Sequence, residues 1–279
     1  MRISVAHSTT YRYTSPVYLE PHTIRLRPRE DGTQRLHTFA LDIEPAPARR
    51  ADVLDQDGNV VTHAWFSDLT DRLVLRTAFT LDTLRGNPFD FLLLDHDRDV
   101  PVQYAEALRG PLLPYLRADH DPIVRVFAQQ IANESAWNTM AFLAALNRTL
   151  YQETRHVIRH DGAAHPPART LAEREGSCRD TAQLFCAACR AMGIAARFVS
   201  GYELGAALDP GGGDLHAWAE VYLQGGGWRG YDPSRGLAVA DAHVPVAAAF
   251  DPALAAPVTG TFRGSASASI DYSISMQAA

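Results

Sequence analysis

Polar and apolar residues alternate in short runs over the first part of this chain. Ser4–Tyr13, Gln34–Ile43, Val60–Phe66 and Leu73–Leu81 each carry the two-residue period of a strand with one buried face, and Asp57-Gly58-Asn59 separates two of them as a turn. The pattern predicts a β-sandwich-like domain over residues 1–95. Residues 96–120 hold Pro101, Gly110, Pro111 and Pro114 and read as a connector with short helical content. Helical periodicity takes over at Pro122–Glu134 and Thr139–Gln152. It returns from about Arg179 to Met192, where Ala182, Phe185, Cys186, Cys189 and Met192 recur at spacings of three and four, ended by Gly193 at the left-handed cap position. Next, Leu215, Ala217, Ala219, Val221 and Leu223 alternate with His216, Trp218, Glu220 and Tyr222, which predicts a strand. The run Gly225-Gly226-Gly227 turns the chain into a second strand from Trp228. The tail is rich in alanine and serine, yet Ser267–Met276 alternates enough for a closing strand. The chain is therefore expected to be α+β, with strands first and then, over 121–279, helices followed by antiparallel strands.

Composition narrows the class. A chain of 279 residues can bury a sizeable core in two modest domains. Its net charge of −6 is too mild and too mixed for a nucleic-acid binder. All 26 basic residues are arginine, which excludes a lysine Schiff base and a phosphate loop of the Gly-Lys-Ser/Thr type. No apolar run reaches membrane-spanning length, and the chain begins as a strand, not as a signal peptide. Three cysteines do not make a closed disulfide set, so a reducing cytoplasm is the expected location. Neither nucleic acid nor membrane is expected as a partner, and the oligomeric state stays open.

Candidate chemistry sits in three segments: Gly176-Ser177-Cys178-Arg179-Asp180, Asp214–Tyr222 with His216, and Trp228–Pro233 with Asp232. They supply a thiol, an imidazole and a carboxylate in that order, the groups a cysteine nucleophile needs. Cys178 falls in the first turn of its helix, where unpaired N–H groups and the helix dipole favour a thiolate. Trp228, Gly230 and Asp232 share one face of the second strand. Two antiparallel strands can then present His216 and Asp232 within hydrogen-bonding reach. Taken singly, each group has a plainer reading: a buried structural cysteine, a core histidine and an Asp-Pro turn.

These residues resemble the transglutaminase-like core, a papain-like superfamily of cysteine acyl-transfer enzymes. The resemblance runs through Gly176, Cys178, Arg179, Asp180, Arg190, Gly193, Ile194, Ala196, Arg197, Gly201 and Tyr202. It continues through His216, Ala217, Trp218, Glu220, Tyr222, Trp228, Asp232 and Pro233. The N-terminal part is similar to the bacterial domain that often precedes this core, through Tyr11, Tyr13, Pro16, Val17, His22, Arg25, Leu26, Arg27 and Pro28, then Asp57, Gly58 and Asn59. The resemblance implies a papain-like core with the cysteine-bearing helix packed on an antiparallel sheet. It also implies Cys178 as nucleophile, His216 as general base and acid, and Asp232 as the group orienting His216. No cofactor or metal is called for, and the implied partner is a peptide or protein substrate.

Other clusters are read as structural. His63-Ala64-Trp65 copies His216-Ala217-Trp218 but lacks the Glu-x-Tyr that follows there. Cys186 and Cys189 fall inside the helix, where a redox pair would not sit, and lack further zinc ligands. Gly211-Gly212-Gly213 reads as a flexible loop, and His156, His160 and His165 as a polar one. Asp90, Asp95, Asp97 and Asp99 lack the glycine and terminal glutamate of a calcium loop. Trp218 is expected to shield the His–Asp bond and Glu220 to support the fold nearby. Arg179 and Asp180 are expected in a salt bridge or as helix-start charge.

The chemistry expected is acyl transfer through a thioester on Cys178, with its backbone N–H as one oxyanion donor. No glutamine stands just upstream as a second donor. Hydrolysis is the favoured outcome, and transfer to an amine or peptide binding without catalysis are the alternatives.

Overall fold

The alternation near the start builds β1 (Arg2–Leu19), which buries Ile3, Val5, His7 and Thr9 on one face. Five more strands precede the first α-helix: β2 (His22–Ile24), β3 (Gln34–Glu44), β4 (Arg49–Leu54), β5 (Val60–Trp65) and β6 (Leu69–Thr83). The connector holds α1 (Glu106–Leu116), and α2 (Pro122–Glu134) and α3 (Thr139–Glu153) follow where the periodicity placed them. Then come β7 (Arg155–His156), α4 (Pro167–Glu173), β8 (Glu175–Gly176) and α5 (Cys178–Ala191). The core sheet is built from β9 (Ala196–Glu203), β10 (Asp214–Leu223), β11 (Gly227–Asp232), β12 (Leu237–Ala238) and β13 (His243–Ala249). Three strands close the chain: β14 (Val258–Thr259), β15 (Phe262–Arg263) and β16 (Ala268–Ala278). This computed structural model describes residues 1–118, 121–159, 162–205 and 214–278.

Three larger sheets result, all antiparallel. One has the order β15-β1-β6-β3 with β16 also paired to β1; a second runs β14-β2-β5-β4; the core sheet runs β12-β11-β10-β9-β13. Tyr13, Val17 and Leu19 of β1, Leu73 and Leu75 of β6, Ile24 of β2 and Ala64 of β5 share one apolar cluster, so the first two sheets face each other as a sandwich. The other end of the β1–β6 face packs Ile3, Val5, Phe79 and Leu81 against Tyr202 of β9 and Val244 of β13. Polar links cross the same seam. His7 Nδ1 meets Tyr202 Oη at 2.8 Å, and Asn59 exchanges two hydrogen bonds of 2.9 Å with the backbone of Ala248. Asn59 is thus more than a turn residue.

The α5 helix packs on β9 and β10 with Leu184, Phe185, Cys186, Ala188 and Cys189 fully buried. Gly193 ends it at φ 71°, the left-handed conformation that costs glycine nothing. Among the described residues, no helix is long and apolar enough to cross a membrane.

One assignment needs correction. Residues 121–279 do not all belong to the helical core, because β14, β15 and β16 return to the N-terminal sheets. The closing strand is real, but it pairs with β1 from Ile3–Ala278 to Tyr13–Ala268. Alternation fixes which face of a strand is buried and carries no information about its partner.

Gly201 of β9 lies where Trp218 and β13 come closest. A Cβ there would stand 2.1 Å from the Val244 carbonyl and 2.7 Å from the Trp218 ring. The carbonyl is main chain and has little room to yield, so Gly201→Ala should destabilise the fold by about 3 kcal/mol. A urea midpoint equal to that of the parent protein would contradict this packing.

Candidate active site

Cys178 is the first residue of α5, and its amide has no acceptor within the helix. The turn before it is held by Asp180, whose buried carboxylate accepts from Ser177 N at 2.7 Å and Ser177 Oγ at 2.8 Å. The same carboxylate takes His165 N at 2.7 Å and pairs with Arg159 at 2.6 Å. Burial alone would raise its pKa; the backbone donors and Arg159 more than offset this and hold it below the ordinary value. The expected salt bridge therefore exists for Asp180. Arg179 donates to the carbonyls of Gly162 and Arg159. Cys178 itself is half-buried against Ala182, Phe198, Ala217, Ala247 and Ala249.

His216 stands on β10 and Asp232 at the end of β11, both buried. The strands pair Ala219 with Tyr231 and Glu220 with Gly230, so Asp232 is diagonal to His216 on the same face and not directly opposite it. His216 Nε2 lies 2.6 Å from Asp232 Oδ2. With Nε2 committed to the carboxylate, Nδ1 is the nitrogen left for the Cys178 thiol, which stands close enough to favour the protonated ring. Burial works to lower the His216 pKa, but Asp232 and Cys178 overcome it and raise the value to about 10. Burial would likewise raise Asp232, yet its bonds to two imidazoles hold it well below the usual carboxylate range. The structure thus brings all three predicted groups together.

Further residues complete the surroundings. Asp232 Oδ1 accepts from Ser234 N at 3.0 Å, Ser234 Oγ at 2.7 Å and Arg235 N at 3.2 Å, so the Asp-Pro turn itself fixes the carboxylate. His243 Nε2 lies 3.1 Å from Asp232 Oδ2. Glu203 Oε2 is 3.6 Å from His216 Nε2 and 3.0 Å from Arg235 Nε. Trp218, fully buried, stacks near His216 with ring centroids 6.3 Å apart, which fits a shielding role. Glu220 instead pairs with buried Arg197 at 2.7 Å.

The Asp-Pro-Ser sequence after β11 was a readable turn signal for Ser234. Nothing comparable marked Glu203 or His243.

Glu203, His216, Asp232 and His243 place ligand atoms within 4.8 Å of one another, a set able to hold a divalent cation. The hydrogen bonds already account for it, since both Nε2 atoms face Asp232 Oδ2 as donors. The other candidate clusters do not converge. His165 lies beside Asp180, His156 on β7 stands within electrostatic reach of His216, Asp232 and Arg235, and His160 falls outside the described residues, as does Gly211-Gly212-Gly213. His63 bonds Thr23 on the N-terminal sheet, Cys186 and Cys189 are core, and Asp97 is spent on Gln224.

A helix-start thiol, an imidazole and a carboxylate, set on one helix and an antiparallel sheet, define the papain-like class of cysteine-dependent proteins. Two family models match this chain: the bacterial transglutaminase-like N-terminal region over residues 3–82, and the transglutaminase-like superfamily over residues 126–233. The two matches set the bacterial transglutaminase-like N-terminal region ahead of a transglutaminase-like core. An uncharacterized protein of Mycobacterium tuberculosis is 28% identical over 98% of this chain and 91% of its own length. One from Mycobacterium leprae is 25% identical over 97% and 96%. A crystal structure from Cytophaga hutchinsonii, provisionally named a cysteine protease, has the same fold at a TM-score of 0.74 and 22% identity, covering 100% of this chain and 91% of that one.

Two outcomes follow from this geometry. Iodoacetamide should label Cys178 in the native protein, whereas Cys186 and Cys189, both fully buried, should label only on unfolding. EDTA should leave that pattern and its rate unchanged; peptide mapping by mass spectrometry reads both. The raised His216 pKa contributes stability that is complete below about pH 6.5 and lost as pH climbs towards about 10. The urea midpoint of the parent protein should therefore fall relative to that of His216→Gln across this window, and parallel curves would contradict it.

Proposed function

We propose that this protein is a cysteine acyl-transfer enzyme that opens amide bonds of a peptide or protein through a thioester on Cys178, and that water is the usual acceptor. The observation that carries the reading is the buried His216 imidazole, 2.6 Å from the buried Asp232 carboxylate and within electrostatic reach of the helix-start Cys178 thiol. An imidazolium there is the counter-ion a thiolate needs. The sulfur adds to the amide carbon, and the developing oxyanion is received by the Cys178 N–H at the positive end of α5. His216 returns its proton to the amine as the C–N bond breaks. It then takes a proton from water, which attacks the thioester and releases the thiolate. Throughout, Asp232 keeps the ring in the tautomer with Nε2 protonated.

Hydrolysis is preferred here over transfer to an amine because the acidic run near residue 97 does not offer a calcium loop: Asp95 is paired with Arg98 and Asp97 with Gln224. A cytoplasmic setting suits a site that depends on a free thiol, and all three cysteines are free. No nucleic acid or membrane enters this reading.

The test is to trap acyl-enzyme by mass spectrometry after incubation with a peptide library, with and without an added primary amine. Cys178→Ala should abolish adduct and turnover while leaving the fold intact. Asp232→Asn should retain turnover reduced about 10³–10⁴-fold, through the wrong tautomer. Cys186→Ala should keep turnover and lose about 1 kcal/mol of stability. Amine adducts outnumbering hydrolysed product would move the reading to transamidation. An unreactive Cys178 across the library would move it to a peptide-binding module.

A further inference from the structure

The bonds around Asp232 are shared between two imidazoles, His216 and His243. His243 opens β13, directly across from Glu203 in the register with β9. Its ring is buried, and its Nε2 lies 3.1 Å from the same Oδ2 that receives His216. Its other nitrogen, Nδ1, is buried without a hydrogen-bond partner. A proton there would be stranded away from any acceptor, so the ring proton belongs on Nε2, where Asp232 accepts it. Trp218 sets an edge-to-face contact with the His243 ring at 5.1 Å while stacking on His216, so one indole keeps both imidazoles in place.

We propose that His243 is a positioning residue of this site: its Nε2–H shares Asp232 Oδ2 with His216 and keeps that carboxylate turned towards the catalytic ring. The proposal rests on reading Cys178, His216 and Asp232 as the catalytic set. On Oδ1 the carboxylate is anchored by the turn through Ser234 and Arg235; on Oδ2 its donors are His216 and His243. During turnover His216 exchanges its Nδ1 proton with sulfur, leaving group and water, and its bond to Asp232 loosens and tightens with each exchange. A second donor that takes no part in the exchange holds Oδ2 steady. The other titratable and charged groups facing this cluster are Glu203 from β9 and Arg235 from the turn after β11, which pair with each other, and His156 from β7, which lies within electrostatic reach of His216 and Asp232.

The test measures iodoacetamide alkylation of Cys178 in the full chain at pH 6 and pH 9, for the parent protein, His243→Leu, His243→Gln and Asp232→Asn. Losing a hydrogen bond to a charged group should lower the pH 6 rate of His243→Leu at least tenfold, with a much smaller change at pH 9, so that its pH 6 to pH 9 ratio moves to that of Asp232→Asn. His243→Gln, whose side-chain amide can donate from nearly the same place, should recover the parent ratio within about threefold. A purely structural histidine would lower thermal stability and leave the ratio alone. A folded His243→Leu with the parent ratio overturns the proposal. Should His243→Leu not fold, ¹⁵N-histidine spectra of the parent protein decide: a His243 proton on Nδ1 overturns it, and one on Nε2 together with a parent-like His243→Gln supports it. If Asp232→Asn itself keeps the parent ratio, the catalytic reading fails instead, so the two failures are told apart.

Discussion

A carboxylate with no access to water is the constraint around which this site is built. Removing an ionised Asp from solvent is unfavourable by several kcal/mol unless its lone pairs are met by donors. Asp232 meets the condition with donors from three directions: the imidazole of β10, the imidazole of β13, and the hydroxyl and backbone amides of the turn after β11. Each donor is worth little if its strand slips by one residue, because a slip sends every side chain to the opposite face. The register of four strands and one buried charge therefore specify each other. Asp180 plays the matching part at the helix, where its buried carboxylate ties the turn before Cys178 to Arg159 and His165.

The N-terminal sheets join this arrangement through adjacent rungs of the same ladder. Tyr202 pairs with Val244 and turns towards Ile3, Val5, Phe79 and Leu81, while the next pair, Glu203 with His243, turns towards Asp232 and His216. Successive residues of a strand point to opposite faces, so what packs under one rung bears on the next. The N-terminal region thus backs the two strands that carry the less obvious half of the site.

Much of this was legible in the chain. Cys178, His216 and Asp232 stood out because each lies on an element with strong periodicity or beside a distinctive turn. The helices α2, α3 and α5 followed from three- and four-residue spacing. Glu203 and His243 were hidden for physical reasons. The β9 strand is buried along its whole length and shows no polar alternation to read. The β13 strand carries Pro245 beside a register shift and is otherwise mostly alanine and valine. Strands of two or three residues, such as β2, β12 and β14, are too short to show a period at all. Which sheet claimed the Ser267–Met276 segment depended on a partner more than 250 residues away, as Ile3 pairing with Ala278 shows.

That last pairing bears on how the molecule comes into being. A chain made from its N-terminus forms β1, β3 and β6 early, yet one flank of β1 has nothing to bond until residues 262–278 have been synthesised. In the interval, β1 presents a long open edge, the feature through which growing chains stick to one another. The helical core and β9–β13 are complete before that edge is sealed, and Val244 and Tyr202 can already be packing beside it. β16 then acts as a lock turned after the core sheet has formed. A ribosome that stalls before residue 262 would leave the first sheet unzipped on one side.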